Sequence, residues 1–309
     1  MTSQTPSRVR RAAVAFALPV LMAGGLVACS EGRPVEAPEA GAPSAPVAGA
    51  SSAPASGTPA SELRMVETNG HTLAFHVTPG RLPAIVLDAG GGEDSSYWSA
   101  LVPQLARTTG AAVITYDRAG LGDSDEVPGA WDPQAAASDL ESGLRRLGMT
   151  EGVVLVSHSQ AGEVATYTAR THPDLIAAAV LVDANLPPFF TEEQTARIIA
   201  ATAPQIEALK AQPSTKQTRQ LIATAESFGP VHAAYHKLTW PGTIPVTVIV
   251  SEKTPFDGSP DDAQHWRDAA ASFAKAGPDR TLVTALGTSH DVPKDAPALV
   301  LDEIVKMTR

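Results

Sequence analysis

The segment VSHSQAG, at residues 156–162, carries an apolar strand-like run (GVVLVS) directly into a helix-forming stretch, with Ser159 at the junction. A nucleophile on so sharp a strand-to-helix turn needs small neighbours two residues before and after it, because larger side chains would strike the adjacent backbone. Ser157 and Ala161 meet that need, and Gly162 follows. A serine hydroxyl is a weak nucleophile near neutral pH and requires an adjacent base to take its proton. Among the histidines, His71 and His76 lie in a hairpin pattern, His158 lies inside the turn itself, and His232, His236 and His265 fall in helical patterns. His290 instead sits in ALGTSHDVPKDAP, a loop between the last strand-like run and the terminal helix. The third ingredient, donors for the oxyanion that forms on attack at a carbonyl, is offered by LDAGGGEDSSYW, whose consecutive glycines let backbone N–H groups turn inward. The two acids behind those glycines and the absence of a following GK[ST] argue against a phosphate cradle.

Strand and helix patterns that would position these residues alternate along most of the chain. LRMVET and TLAFHV flank Asn69-Gly70, a tight hairpin signal. AIVLDA, AAVITYD, GVVLVS, IAAAVLVDA and PVTVIV then read as strands buried on both faces, separated by helical stretches expected at residues 95–107, 134–147 and 160–171. RTLVTAL is a further strand, with helices at residues 262–275 and 296–307. From residue 185 to 239 the strand signal gives way to helix-forming sequence, read as a helical lid inserted between the sixth and seventh strands. The expected class is α/β: a mostly parallel eight-stranded sheet with helices on both faces.

Together the strand–serine–helix junction, DAGGG and YDRAGLGDSD resemble the α/β-hydrolase superfamily over residues 63–309. The junction departs from G-x-S-x-G at both outer positions. The resemblance implies a serine hydrolase in which Ser159 attacks an ester-like carbonyl of a small molecule, with His290 as general base. It implies oxyanion donors at the amides of Gly91 or Gly90 and of Gln160. The family most often keeps its acid after the seventh strand, where this chain has Thr254. Some members keep it at the end of the sixth, where Asp183 stands, and Asp257 is the alternative, with Glu252 behind it. A structural cap on the next segment is the competing role for Asp183. Serine at the junction argues against dehalogenase and epoxide hydrolase chemistry, which uses aspartate there. The chemistry requires no cofactor and no metal. Two other readings stay open: a non-catalytic ligand-binding or sensory module on the same fold, and a peptidase or amidase using Glu192 and Glu193 to grip an amine.

With 43% hydrophobic and 18% charged residues, the 309-residue chain has the composition of one folded domain. Its start is different: Arg8, Arg10 and Arg11 precede an apolar run that ends at Leu26-Val27-Ala28-Cys29, resembling the lipobox of bacterial lipoproteins. Residues 1–28 are therefore expected to be a signal peptide, Cys29 the lipidated residue and membrane anchor, and 29–62 an Ala/Pro/Ser-rich tether. Export to the periplasmic face of the outer membrane follows as an expectation, with Ser30 in place of a retention aspartate. Cys29 is the only cysteine, so no internal disulfide forms and the core must supply the stability. The net charge of −10, or −13 once the three signal arginines are set aside, argues against a nucleic-acid partner.

Overall fold

The computed structural model describes residues 60–309; the expected signal peptide, Cys29 and nearly all of the tether lie outside the described residues. The chain enters at β1 (Glu62–Thr68) and returns along β2 (His71–Thr78) as an antiparallel pair. Asn69 and Gly70 between them have φ of 45° and 92°, as the tight turn demands. Next come β3 (Arg81–Asp88), α1 (Val102–Thr109), β4 (Ala111–Tyr116), α2 (Pro133–Arg146), β5 (Val153–His158), α3 (Ala161–Thr171) and β6 (Ile176–Val182). After β6 come α4 (Glu192–Lys210) and α5 (Lys216–Tyr235), which pack on each other. The chain then completes the sheet with β7 (Val246–Ser251), α6 (Pro260–Lys275) and β8 (Arg280–Ala285), and ends in α7 (Val292–Asp295) and α8 (Pro297–Met307).

The eight strands form one sheet in the order β1-β2-β4-β3-β5-β6-β7-β8. Among the described residues, only the β1–β2 and β2–β4 pairings are antiparallel; the other five are parallel. Because strand side chains alternate faces, the continuous apolar runs feed two cores at once. Along β5, Val153 and Leu155 join Leu140 and Leu144 of α2 and Val164 of α3, while Val154 and Val156 join Leu105 of α1 and Ile304 of α8. Each such side chain, fully buried, contributes about 1.5–3 kcal/mol of transfer free energy. That anchoring makes the carboxyl ends of β3, β5 and β6 fixed points.

Two expected helices come out differently. The stretch at 95–107 is interrupted: a 3₁₀ turn at Ser95–Trp98, capped by Asp94, precedes α1, whose first turn contains Pro103. Proline suits a first turn, where its missing N–H costs nothing, and so restarts the helix there. The terminal helix is preceded by the separate short α7, each of the two beginning with a proline in its first turn. β1 begins at Glu62, one residue before the expected domain boundary, and pairs there with Val77.

Candidate active site

Ser159 occupies the junction between β5 and α3 with φ of 54°, a conformation that costs a non-glycine residue on the order of 1–3 kcal/mol unless its surroundings enforce it. The enforcement is visible. The Ser159 amide donates to the Val182 carbonyl at 3.3 Å, and its own carbonyl accepts from Gly162 at 3.0 Å and Asn185 at 2.8 Å. Gly162 cannot be larger, because a Cβ there would lie 2.3 Å from the Asn185 carbonyl oxygen. The departure from G-x-S-x-G is thus compensated one residue later.

His290, in the loop between β8 and α7, presents Nε2 to the Ser159 hydroxyl at 2.9 Å and Nδ1 to Asp183 Oδ2 at 2.7 Å. Asp183 stands just past the end of β6, also with positive φ (40°). Its carboxylate only accepts, so the Nδ1 proton goes to Asp183, leaving the Nε2 lone pair for the Ser159 hydroxyl. The Asp183 carboxylate is fully engaged. Oδ1 accepts from the Ser251 amide at 3.0 Å and Trp266 Nε1 at 2.8 Å, and Oδ2 accepts also from Ser251 Oγ at 2.7 Å. Burial pushes this carboxyl upward, but the hydrogen bond and charge of His290, with the bonds from Ser251, outweigh it and hold the group below the usual carboxylate range. Asp257 is exposed in the loop before α6, and both ring nitrogens of His290 are already taken, so that alternative is set aside. Glu252, also exposed, accepts from the Gly287 amide.

Thr254, where the acid was absent, has φ of 57° and donates its amide to Ser251 Oγ at 3.0 Å. The loop after β7 therefore acts on Asp183 from behind, through Ser251, instead of supplying a carboxylate of its own.

The glycine segment after β3 lies beside Ser159. A Cβ at Gly90 would sit 3.3 Å from Ser159 Cβ, and one at Gly91 would sit 2.6 Å from Gln160 Oε1. Below it, the buried Arg118 guanidinium donates to Asp88 and to the carbonyls of Ala89 and Gly90. In a trans peptide the C=O and N–H point in opposite directions, so this grip turns the Gly90 and Gly91 amides away from Arg118. Arg118 comes from YDRAGLGDSD, and its role was not read from that motif. His158 was also passed over. Its ring is stacked on Tyr97 at 4.8 Å between centroids, and its Nε2 lies 3.0 Å from the His290 carbonyl oxygen, bracing the loop that carries His290. Glu192 and Glu193 are exposed at the start of α4.

Behind Ser159, Glu163 of α3 is completely buried and accepts from His232 of α5 at 3.1 Å, Asn185 at 2.6 Å and Trp131 at 3.0 Å. His232 is sandwiched by Phe190 and Phe228, and its Nδ1 faces the Phe228 carbonyl at 2.8 Å. Both ring nitrogens therefore face oxygen atoms, one of a carbonyl and one of a carboxylate. Phe189, Phe190 and Ile198 are buried in the main core, whereas Ile199 is exposed.

The family model for the alpha/beta hydrolase fold matches residues 83–291. A non-heme chloroperoxidase of Streptomyces lividans is 39% identical over 87 residues, covering 28% of this chain and 31% of that protein. A bifunctional esterase/perhydrolase of Acinetobacter calcoaceticus is 34% identical over 118 residues, 38% of this chain and 42% of that protein. The match thus spans less than half the length of either relative. Among solved structures, an esterase from Thermogutta terrifontis superposes with a TM-score of 0.55 at 21% identity, covering 80% of this chain and 98% of that one. An epoxide hydrolase from Vigna radiata does so with a TM-score of 0.59 at 17% identity, covering 80% and 97%. At these identities the two structures share the fold.

Proposed function

The chain belongs to the alpha/beta hydrolase fold family, and from that premise we propose that it is a serine hydrolase cleaving an ester or related acyl bond through an acyl-enzyme on Ser159. The observation that carries this reading is the unbroken relay from Ser159 Oγ through His290 to Asp183, at 2.9 Å and 2.7 Å. As Ser159 attacks the carbonyl carbon, Nε2 of His290 takes the hydroxyl proton, and the imidazolium so formed is held by Asp183. The oxyanion is received by the amides of Gly91, or its neighbour Gly90, and Gln160. His290 then protonates the leaving oxygen, and water activated by the same ring releases the acid.

An oxygen nucleophile with a histidine base favours acyl transfer over the carbon-centred attack that an aspartate would make, so the named epoxide hydrolase resemblance is read as one of fold. The paired helices α4 and α5 are read as a lid over the carboxyl ends of the strands. Glu192 and Glu193 at the start of α4 suit the helix dipole without any substrate amine, which leaves the peptidase reading with less support than the esterase. Lipidation at Cys29 and display on the periplasmic face of the outer membrane rest on the lipobox-like residues 26–29; fatty-acid labelling of cells, lost in Cys29→Ser, tests them.

Activity-based labelling tests the mechanism. A fluorophosphonate should label the purified domain from residue 60 onward, and the label should vanish in Ser159→Ala and His290→Ala. A folded, unlabelled wild type would shift the reading to a ligand-binding module.

A further inference from the structure

A cavity of about 310 Å³ lies between the loop that follows β4, the start of α2 and the flank of α5. None of Ser159, His290, Asp183, Gly91 or Gln160 lines it. Its size falls at the lower end of the roughly 300–1,000 Å³ of small-molecule sites, and most of the surface it exposes is apolar. Leu73, Val127, Ala136 and Ala223 provide apolar surface, and Trp131 provides an aromatic one. The loop is tied to the helix by the Trp131 amide, which donates to Ser227 Oγ at 3.1 Å, and by the Glu126–Arg219 ion pair at the rim. The cavity is thus built from fixed walls.

Two residues that line it each carry a buried side-chain atom without a partner among the described residues: Arg118 at Nε and Gln220 at Oε1. The other two guanidinium nitrogens of Arg118 are committed to Asp88, Ala89 and Gly90, and the side chain is 3% exposed. A buried donor left without an acceptor is destabilising, and an acceptor on a ligand would relieve that. The charge balance says which acceptor. The positive charge of Arg118 is matched by Asp88 and that of Arg219 by Glu126, while Asp139, also in the wall, accepts from Asn69 and pairs with His71. Among the described residues of the wall no cation is left over for a carboxylate or phosphate, and the carboxylates there repel one.

The geometry points to a second ligand site, for a small neutral molecule with an apolar body and one carbonyl oxygen received by Arg118 Nε, its body packed against Trp131. The site stands on this cavity alone and does not depend on the acyl-transfer reading.

The test uses the domain from residue 60 with Ser159→Ala, so that no turnover can intervene, and follows the Trp131 indole N–H signal by nuclear magnetic resonance, assigned by its loss in Trp131→Phe. The probes are 2-heptanone, heptane and heptanoate. The ketone should move the signal saturably, with heptane and heptanoate at least about tenfold weaker for want of the single hydrogen bond or for repulsion. Filling the cavity from opposite walls, by Ala136→Phe or Ala223→Phe, should weaken the ketone by at least about tenfold in whichever variant keeps the wild-type unfolding temperature. An unmoved Trp131 signal at millimolar ketone, unchanged ketone binding in both filled variants, or heptanoate binding as tightly as the ketone would overturn the proposal.

Discussion

Asp183 illustrates how much of a site can rest on one carboxylate. Four hydrogen bonds converge on it, and two of them come from Ser251. Asp183→Asn keeps the shape but offers the imidazole an amide, which favours the wrong tautomer; turnover of an ester substrate should fall by about 10⁴ in the purified domain, while Asp257→Asn leaves it unchanged. Ser251→Ala removes the hydroxyl that helps hold Asp183 low, so the carboxyl rises toward the ordinary range. Turnover in the neutral range should then fall, by less than in Asp183→Asn, because the carboxylate stays charged and keeps its bond to His290. Unchanged turnover would show that Ser251 serves packing alone.

The elements meet at their ends. β3, β5 and β6 deliver the glycine segment, Ser159 and Asp183, and α5 is bound to α3 by the His232–Glu163 pair. Removing one partner of a buried pair strands the other, so His232→Leu should cost about 3–5 kcal/mol, read as a lowered midpoint in denaturant unfolding. Replacing both, in His232→Leu with Glu163→Met, should recover most of that loss. A single variant as stable as wild type would mean that α5 is held by its apolar contacts without help from the ion pair. Arg118 plays a comparable part between β3 and β4, with its guanidinium joining the carboxyl end of one strand to the segment that follows the other.

Across the whole domain, acid stability should reflect the buried carboxylates. Burial raises Glu163, but the charge and hydrogen bond of His232, with those of Trp131 and Asn185, bring it below its ordinary value. A carboxylate depressed in the folded state contributes stability that is fully present above its unfolded pKa, about 4.3 for glutamate, and is lost as pH falls through the lower folded value. Unfolding free energy should therefore decline with acid below about pH 4.3, and Glu163→Gln should make that slope shallower by up to about 1.4 kcal/mol per pH unit. Urea titrations from pH 6 down to pH 3 measure this, and parallel curves for the two proteins would rule Glu163 out as a contributor.

At this same scale the fold was legible in the chain because its signals are local. Runs such as GVVLVS are apolar at every position, as only strands covered on both faces can be, and Asn69-Gly70 dictates its turn by backbone sterics alone. Ser159 could be singled out likewise, since a strand, a tight turn with small flanking residues and a helix are contiguous. His290 could be found as the histidine in a loop between strand and helix. Partnerships were not legible in this way. Ser251 and Trp266 on Asp183, His232 on Glu163 and Arg118 beneath the glycine segment join residues from 28 to 83 positions apart, and such pairs carry no local signature. Asp183 was the leading candidate in the sequence and Asp257 the alternative, because both follow strands. Only the assembled sheet, which sets the end of β6 beside the loop after β8, decides that the first carboxylate and not the second reaches the imidazole.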